Sequence, residues 1–387
     1  MSALNIGIVT KEWPPAVYGG AGVHVVQLTQ ALRKIPHINV DVHCFGGKRN
    51  DGSFGYDTPS EFKDANPALQ AIATDLAIAE QLHGVDVVHT HTWYANMAGH
   101  TASLLYGTPH IVSAHSLEPL RPWKAEQLGG GYQISSWAEK TAYEAAAAVI
   151  AVSDGMRADV LRAYPDVDPA KVVTIRNGVD TSKFAPNPNP SVLDEFRITG
   201  RYALFVGRIT RQKGLAHLLR AWKNVPSEYG LVLAAGSPDE PGVGNEVAEL
   251  IAQLQSERKN IWWIKDMLPH DKLTAVLTQA DLFLCPSIYE PLGIVNLEAM
   301  GCETAVLASR VGGIPEVVSD GETGILVDYS REASQFESDL SAKISELMAD
   351  PERLVKYGKA GRQRAAEHFG WDAIAQQTID LYRSVIR

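Results

Sequence analysis

The sequence predicts an α/β protein with two parallel sheets, one in each half. Three observations carry this. Short apolar runs of strand length recur along the chain with helical apolar spacing between most of them, the alternation of a parallel sheet covered on both faces. In each half, a strand-like run feeds a Gly-containing turn and then a helical pattern (Asn5–Thr10 before Gly19-Gly20-Ala21-Gly22, and Tyr202–Val206 before Gly207–Gly214). The 387 residues suit two domains, each large enough to bury its own core.

Bulk properties narrow the function. The net charge is −10 with no basic run, which argues against nucleic acid or an anionic membrane as the main partner. No apolar run is long enough to span a bilayer. The start, MSALNIGIVT, lacks the basic region and long apolar core of a secretory signal, so a cytoplasmic location is expected. The three cysteines, Cys44, Cys285 and Cys302, show no metal or redox spacing, which fits a reducing compartment. Cys44 and Cys285 lie in strand-like runs and are expected as buried thiols. The sequence leaves a homo-oligomer open.

In the first half, Asn5–Thr10 reads as a central strand. The loop KEWPPAVYGGAG follows, and Val25, Leu28 and Leu32 mark the helix after it. Strand, Gly-rich turn and helix form a phosphate-cradle arrangement, with Lys11 as a possible charge at its mouth. Further strands are expected at Val40–Phe45, Asp86–Thr90, His110–Ala114, Ala148–Val152 and Val172–Ile175, with helices such as Ala68–Leu82 and Ser135–Ala147 between them. Ligands of such sheets bind beyond the carboxyl ends of the strands. Two informative stretches lie there. HTHTWYANMAG carries His89, His91 and Trp93. H-x-H is a metal spacing, but no carboxylate or cysteine accompanies it, so stacking and hydroxyl binding at a sugar site are expected instead. His115 then ends a strand, and the long loop behind it carries Arg121, Trp123 and Lys124. Indole faces stack on sugar rings and cations hold phosphate, so a phosphorylated sugar acceptor would use all three. Asp166-Val167-Asp168 has a metal-binding form but sits between prolines, and reads as a turn and helix start.

The Pro-rich span FAPNPNPS, beginning at Phe184, reads as the linker. The expected domains are 1–183 and 184–370. A second series of strands follows: Tyr202–Val206, Leu231–Ala235, Ile261–Ile264, Leu282–Cys285, Ala305–Ala308 and Gly324–Val327. The repeat is of architecture rather than sequence, and implies two Rossmann-like, doubly wound halves facing a cleft. After Val206, Arg208 and Lys213 put cations where a strand ends and a helix begins. After Cys285, Glu290 lies in a turn and Glu298 in the helix that follows, on either side of a helix start at Gly293 and Ile294. A helix N-terminus holds anions. Carboxylates repel phosphate but accept from hydroxyls. A sugar joined to a phosphate satisfies both.

The E-x7-E pattern inside EPLGIVNLEAM resembles the signature of retaining, nucleotide-sugar-dependent glycosyltransferases of the glycogen-synthase-like family, which have the GT-B architecture. The resemblance covers nearly the whole chain. It implies that Glu290 contacts the transferred sugar and that Glu298 binds the ribose hydroxyls, with Gly293 and Ile294 beside the donor. Gly207–Gly214 resembles the element G-R-x(4)-K-G, whose Arg and Lys grip the diphosphate, here Arg208 and Lys213; Arg211 has no counterpart and reads as solvated. The Gly19, Gly20 loop matches one that touches the donor diphosphate and sugar. His115 matches a histidine that faces the transferred sugar. His91 and Trp93 lie in a segment similar to H-D-W of bacterial glycogen synthases, with Thr92 in place of the Asp, whose role is therefore not carried over. Asp266 stands where many relatives have Gly, and GGIPEVV (from Gly312) is also family-like. The family's last helix crosses back to the first domain, which implies that 371–387 joins 1–183. The implied chemistry is front-face displacement, with no metal, no cofactor and no enzyme nucleophile.

Within that family, the run from His115 to Trp137 most resembles short actinobacterial-type glycogen synthases. This implies a hexosyltransferase that takes glucose from ADP-glucose, with UDP-glucose possible, to an α-1,4-glucan or to glucose 1-phosphate, giving maltose 1-phosphate. Three other readings stay open. One is UDP-sugar-dependent transfer to another small phosphorylated acceptor. The others are a sugar-nucleotide epimerase of the same architecture and a non-catalytic nucleotide-sugar sensor.

Overall fold

The computed structural model describes residues 3–125, 129–236 and 238–386. The chain forms two compact units, Met1–Asn177 with Trp371–Arg387, and Gly178–Gly370. Residues 178–183 fall in the second unit, not the first. Val179 N–H donates to the Phe369 carbonyl at 2.9 Å and Arg362 Nη2 to the Thr181 carbonyl at 3.3 Å, so their backbone is tied there before the prolines begin.

The first unit holds a seven-stranded, wholly parallel sheet in the order β3-β2-β1-β4-β5-β6-β7. The strands are β1 (Leu4–Thr10), β2 (Ile38–Phe45), β3 (Phe54–Tyr56), β4 (Val87–His91), β5 (His110–Ala114), β6 (Ala148–Ala151) and β7 (Val172–Thr174). Edge strand β3 was not expected. It has three residues, too few to show a period, and Gly55 lies so close to Gly47 that a Cβ would sit 2.1 Å from the Gly47 carbonyl oxygen. The helix Trp371–Val385 packs on this unit. Its buried residues Trp371, Ile374, Ala375, Thr378, Ile379 and Tyr382 keep helical spacing, and five of them join the core of β1, β2 and the helix Gly20–Leu32.

The second unit holds a six-stranded parallel sheet, β10-β9-β8-β11-β12-β13. Its strands are β8 (Tyr202–Arg208), β9 (Gly230–Gly236), β10 (Ile261–Ile264), β11 (Leu282–Cys285), β12 (Ala305–Ser309) and β13 (Gly324–Val327). In both sheets the strand order reverses once, between β1 and β4 and between β8 and β11. A crevice outside the carboxyl ends of such strands is where doubly wound sheets bind ligands. Among the described residues, no helix is long and apolar enough to cross a membrane.

Candidate active site

The second unit places its candidates at the β8/β11 reversal. After β8, Thr210 caps the short turn Arg211–Lys213, its hydroxyl accepting from Lys213 N–H at 3.3 Å. Gly214 then turns left-handed (φ 64) into the helix Leu215–Trp222. A Cβ there would lie 2.0 Å from the Pro286 carbonyl oxygen, so only glycine lets the two loops meet. Ile288 N–H donates to the Gln212 carbonyl at 2.9 Å and stitches them together. The result brings Lys213 Nζ to 2.6 Å from Glu290 Oε2. Burial is the largest influence and lowers the Lys213 ammonium, but the Glu290 charge, the Cys285 thiol and the hydrogen bond to Glu290 together offset it, and the group lies above its ordinary value. Glu290 is 7 % exposed and also accepts from Ser287 Oγ at 3.1 Å.

The family-like GGIPEVV stretch has a geometric role that the sequence did not show. Gly313 N–H donates to the Glu290 carbonyl at 3.0 Å, and a Cβ on Gly312 (φ 52) would sit 2.0 Å from that oxygen. This stretch therefore backs Glu290. Gly293 (φ 94) caps the helix Ile294–Gly301, which starts where the sequence places it. Burial pushes the Glu298 carboxyl up to about 7, and the Lys213 charge opposes the shift. Lys213 thus acts electrostatically on both carboxylates. Arg208 Nη1 is held by Asp239 Oδ1 at 2.5 Å, a partner outside any motif. Arg211, expected to be solvated, is exposed and meets Glu240 Oε2 at 3.3 Å.

The first unit places its candidates at the β1/β4 reversal. The Gly19 and Tyr18 N–H groups donate to Glu12 Oε2, at 2.7 and 3.0 Å. A Cβ on Gly22 would come within 2.6 Å of that oxygen, so the Gly-rich turn is wrapped around a carboxylate of its own loop. Gly20 opens the helix. Lys11 Nζ lies 3.7 Å over the Tyr94 ring, and burial lowers its ammonium.

His91 ends β4 and is fully buried; its Nδ1 is 3.0 Å from Nε2 of His115, which follows β5. Burial pushes His115 down to about 4 and His91 well below its ordinary range, so both rings are neutral at pH 7. His89 is held between Tyr382 Oη at 2.6 Å and Ser113 Oγ at 2.7 Å. The expected stacking face on Trp93 is absent. Trp93 is 2 % exposed, stacks on Tyr94 and packs against Ala68, Ala71 and Ala138, because it occupies the inward face of its helix. His91 likewise faces other histidines and does not reach solvent.

The loop after His115 rests on a buried carboxylate network that no spacing revealed. Arg121 Nη2 meets Glu118 Oε1 at 2.7 Å, and Ser135 Oγ donates to Glu118 Oε2 at 2.7 Å. Glu118 N–H donates to Glu139 Oε1 at 2.7 Å, and Tyr164 Oη donates to the same oxygen. Burial, reinforced by the Glu118 charge, raises the Glu139 carboxyl. Trp123 and Lys124 are half-buried on this loop. Asp168 caps the turn Pro169–Lys171 by accepting from Ala170 N–H at 2.9 Å.

Residues 195–364 match the family described as Glycosyl transferases group 1, and residues 18–183 match Glycosyltransferase Family 4. The chain is 52 % identical over 388 residues to an alpha-maltose-1-phosphate synthase of Mycolicibacterium smegmatis, covering 99 % of this chain and 100 % of that one. It is 50 % identical, with the same coverage, to the alpha-maltose-1-phosphate synthase of Mycobacterium tuberculosis. Among solved structures, a sucrose-phosphate synthase from Thermosynechococcus elongatus matches with a TM-score of 0.81 and 25 % identity, over 99 % of each chain.

Proposed function

Since the chain belongs to the family 4 glycosyltransferases of GT-B fold and is a hexosyltransferase acting in α-glucan synthesis, we propose that it moves glucose from ADP-glucose to glucose 1-phosphate, giving maltose 1-phosphate with retention at the anomeric carbon. The observation that carries this reading is the Lys213–Glu290 pair at the β8/β11 reversal. It sets a cation suited to phosphate against a carboxylate suited to sugar hydroxyls. The loop bearing Arg121, Trp123 and Lys124 supports a phosphorylated acceptor, and the full-length likeness to two maltose-1-phosphate synthases supports that acceptor in particular.

In this reading the bond from the glucosyl anomeric carbon to the diphosphate oxygen breaks, and a bond to an acceptor hydroxyl oxygen forms on the same face. The departing phosphate takes the hydroxyl proton. Negative charge grows on the diphosphate, so Lys213 and Arg208, preordered by Glu290 and Asp239, act most strongly on the transition state. Glu290 accepts from hydroxyls of the transferred sugar and Glu298 from the ribose. His115, neutral at pH 7, faces the sugar as a hydrogen-bonding group.

The test incubates the purified protein with ADP-glucose or UDP-glucose, and with glucose 1-phosphate or glycogen, and identifies products by mass and by proton NMR of the new anomeric centre. The expected product is α-configured maltose 1-phosphate, formed faster from ADP-glucose. A lengthened glucan as the only product would move the acceptor to the polymer, and an epimerised sugar nucleotide would replace the reading. Arg121→Ala and Lys124→Ala are expected to raise the apparent KM for glucose 1-phosphate while sparing donor hydrolysis. Unchanged acceptor kinetics would remove the loop from the acceptor site.

A further inference from the structure

His24, His91 and His115 come from three separate elements and converge. His24 lies on the first helix after the Gly-rich turn, His91 at the end of β4, and His115 just beyond β5. One ligand atom from each ring lies within 4.8 Å of the other two. The ring centroids are 5.5 Å apart for His24 and His91, 4.8 Å for His24 and His115, and 5.3 Å for His91 and His115. Two imidazole nitrogens on one tetrahedral zinc, each about 2.0–2.1 Å from the metal, are roughly 3.4 Å apart. Small side-chain rotations would therefore close the set.

A second, independent observation points to a ligand. Nε2 of His91 is buried with no hydrogen-bond partner among the described residues, and His24, whose ring neighbours the Asn177 side chain, makes no hydrogen bond of standard geometry. His24 is 2 % exposed and His91 fully buried. Buried polar atoms without partners are costly and call for an explanation. Water could satisfy one such atom; imidazole nitrogens from three rings that converge on one point also suit a metal ion that prefers imidazole. Half-buried His115 leaves one side of the set accessible, enough for entry and for an exchangeable fourth ligand.

We propose that His24, His91 and His115 form a binding site for a divalent transition ion that prefers imidazole, such as Zn2+, Co2+ or Ni2+. The site is not a cofactor site for glucosyl transfer, which uses no metal in the reading above. A bound ion would engage His115, and its expected effect is reversible inhibition. That consequence rests on the role proposed for His115; the binding itself does not.

The test uses the full-length, untagged protein and Co2+ as probe. Titration is followed by the visible absorption of four- or five-coordinate cobalt, with stoichiometry from calorimetry. One tight equivalent per chain is expected, displaced by Zn2+. His24→Asn is expected to weaken it at least about 100-fold, more than loss of an outer-shell partner does. Circular dichroism checks that the variant folds, and if it does not, His115→Asn at the half-buried position gives the same reading. No tight equivalent in the wild type, or an unchanged one in a folded variant, overturns the site. Activity separates the two ideas: tight Co2+ at these histidines without inhibition would leave the site standing and remove His115 from the transfer reaction.

Discussion

Lys213 and Glu290 sit 2.6 Å apart, and each has a structural as well as a chemical reason to be there. Replacing Lys213 by Ala leaves a nearly buried carboxylate without its cation. This is expected to cost about 1–3 kcal/mol of stability, below the fully buried case because the Lys213 side chain keeps 23 % exposure. It should also lower kcat by roughly 10²–10³, as loss of a preorganised transition-state contact does. Adding Glu290→Gln to Lys213→Ala separates the two effects: stability should return in denaturant titrations while turnover stays low. A double variant that recovered turnover would show the pair to be purely structural. Glu298 carries a pH signature. Its carboxyl rises from 4.5 to about 7 on folding, so the folded protein holds a proton that the unfolded chain has lost between those values. The sign follows: this group's contribution to stability falls as pH rises from about 4.5 to about 7, and stays lost above. Glu298→Gln should therefore gain melting temperature over the wild type as pH rises from 5 to about 7, and the gain should level off above. A pH-independent difference would exclude the shift.

The two loops of the second unit depend on glycines in left-handed backbone, and the reason differs from one position to another. As a reference in the first unit, a Cβ at Gly84 (φ 86) would meet nothing, so Gly84→Ala should cost about 1–2 kcal/mol from backbone strain alone. At Gly214 and Gly312 the same change also drives a methyl to 2.0 Å from a carbonyl oxygen, of Pro286 and of Glu290. Both variants should unfold well before Gly84→Ala in urea, and both should lose activity through displacement of Glu290. Equal midpoints for the three would mean that the loops do not need this close approach. The strands were legible because parallel strands buried on both faces are nearly continuous apolar runs: β5, β10, β11 and β13 have the expected ends. The inward faces of helices were less legible: the helix after Gly293 starts at Ile294 as expected, but no local signal marks which side of a helix packs inward. Trp93 was misread for a related reason: an aromatic residue at a strand's carboxyl end looks like a stacking platform, but its helix turns that face toward Ala68 and Ala138.

The tail helix Trp371–Val385 supplies Trp371, Ile374, Ala375, Ile379 and Tyr382 to the core of the first unit, and Tyr382 Oη holds His89. Deleting residues 371–387 should strip protection from the amides of β1 and β4 in hydrogen exchange and leave β8 and β11 protected. Equal loss in both sheets, or in neither, would contradict this division of the core. By itself the sequence determined the two-sheet α/β class, the places where loops leave the strands, and the residue types that meet phosphate and hydroxyls. These follow from local periodicity and from motif spacing, which neighbouring residues along the chain enforce. Tertiary structure alone decided the pairings: Arg208 with Asp239, Glu12 with the Gly19 N–H, Gly313 with the Glu290 carbonyl, Glu118 with Arg121 and Glu139, and the meeting of His24, His91 and His115. Most of these contacts join residues far apart in sequence, and even the near ones depend on how a loop folds back on itself. No periodicity encodes which distant loop a turn will face; that is set by the order in which the strands lie side by side.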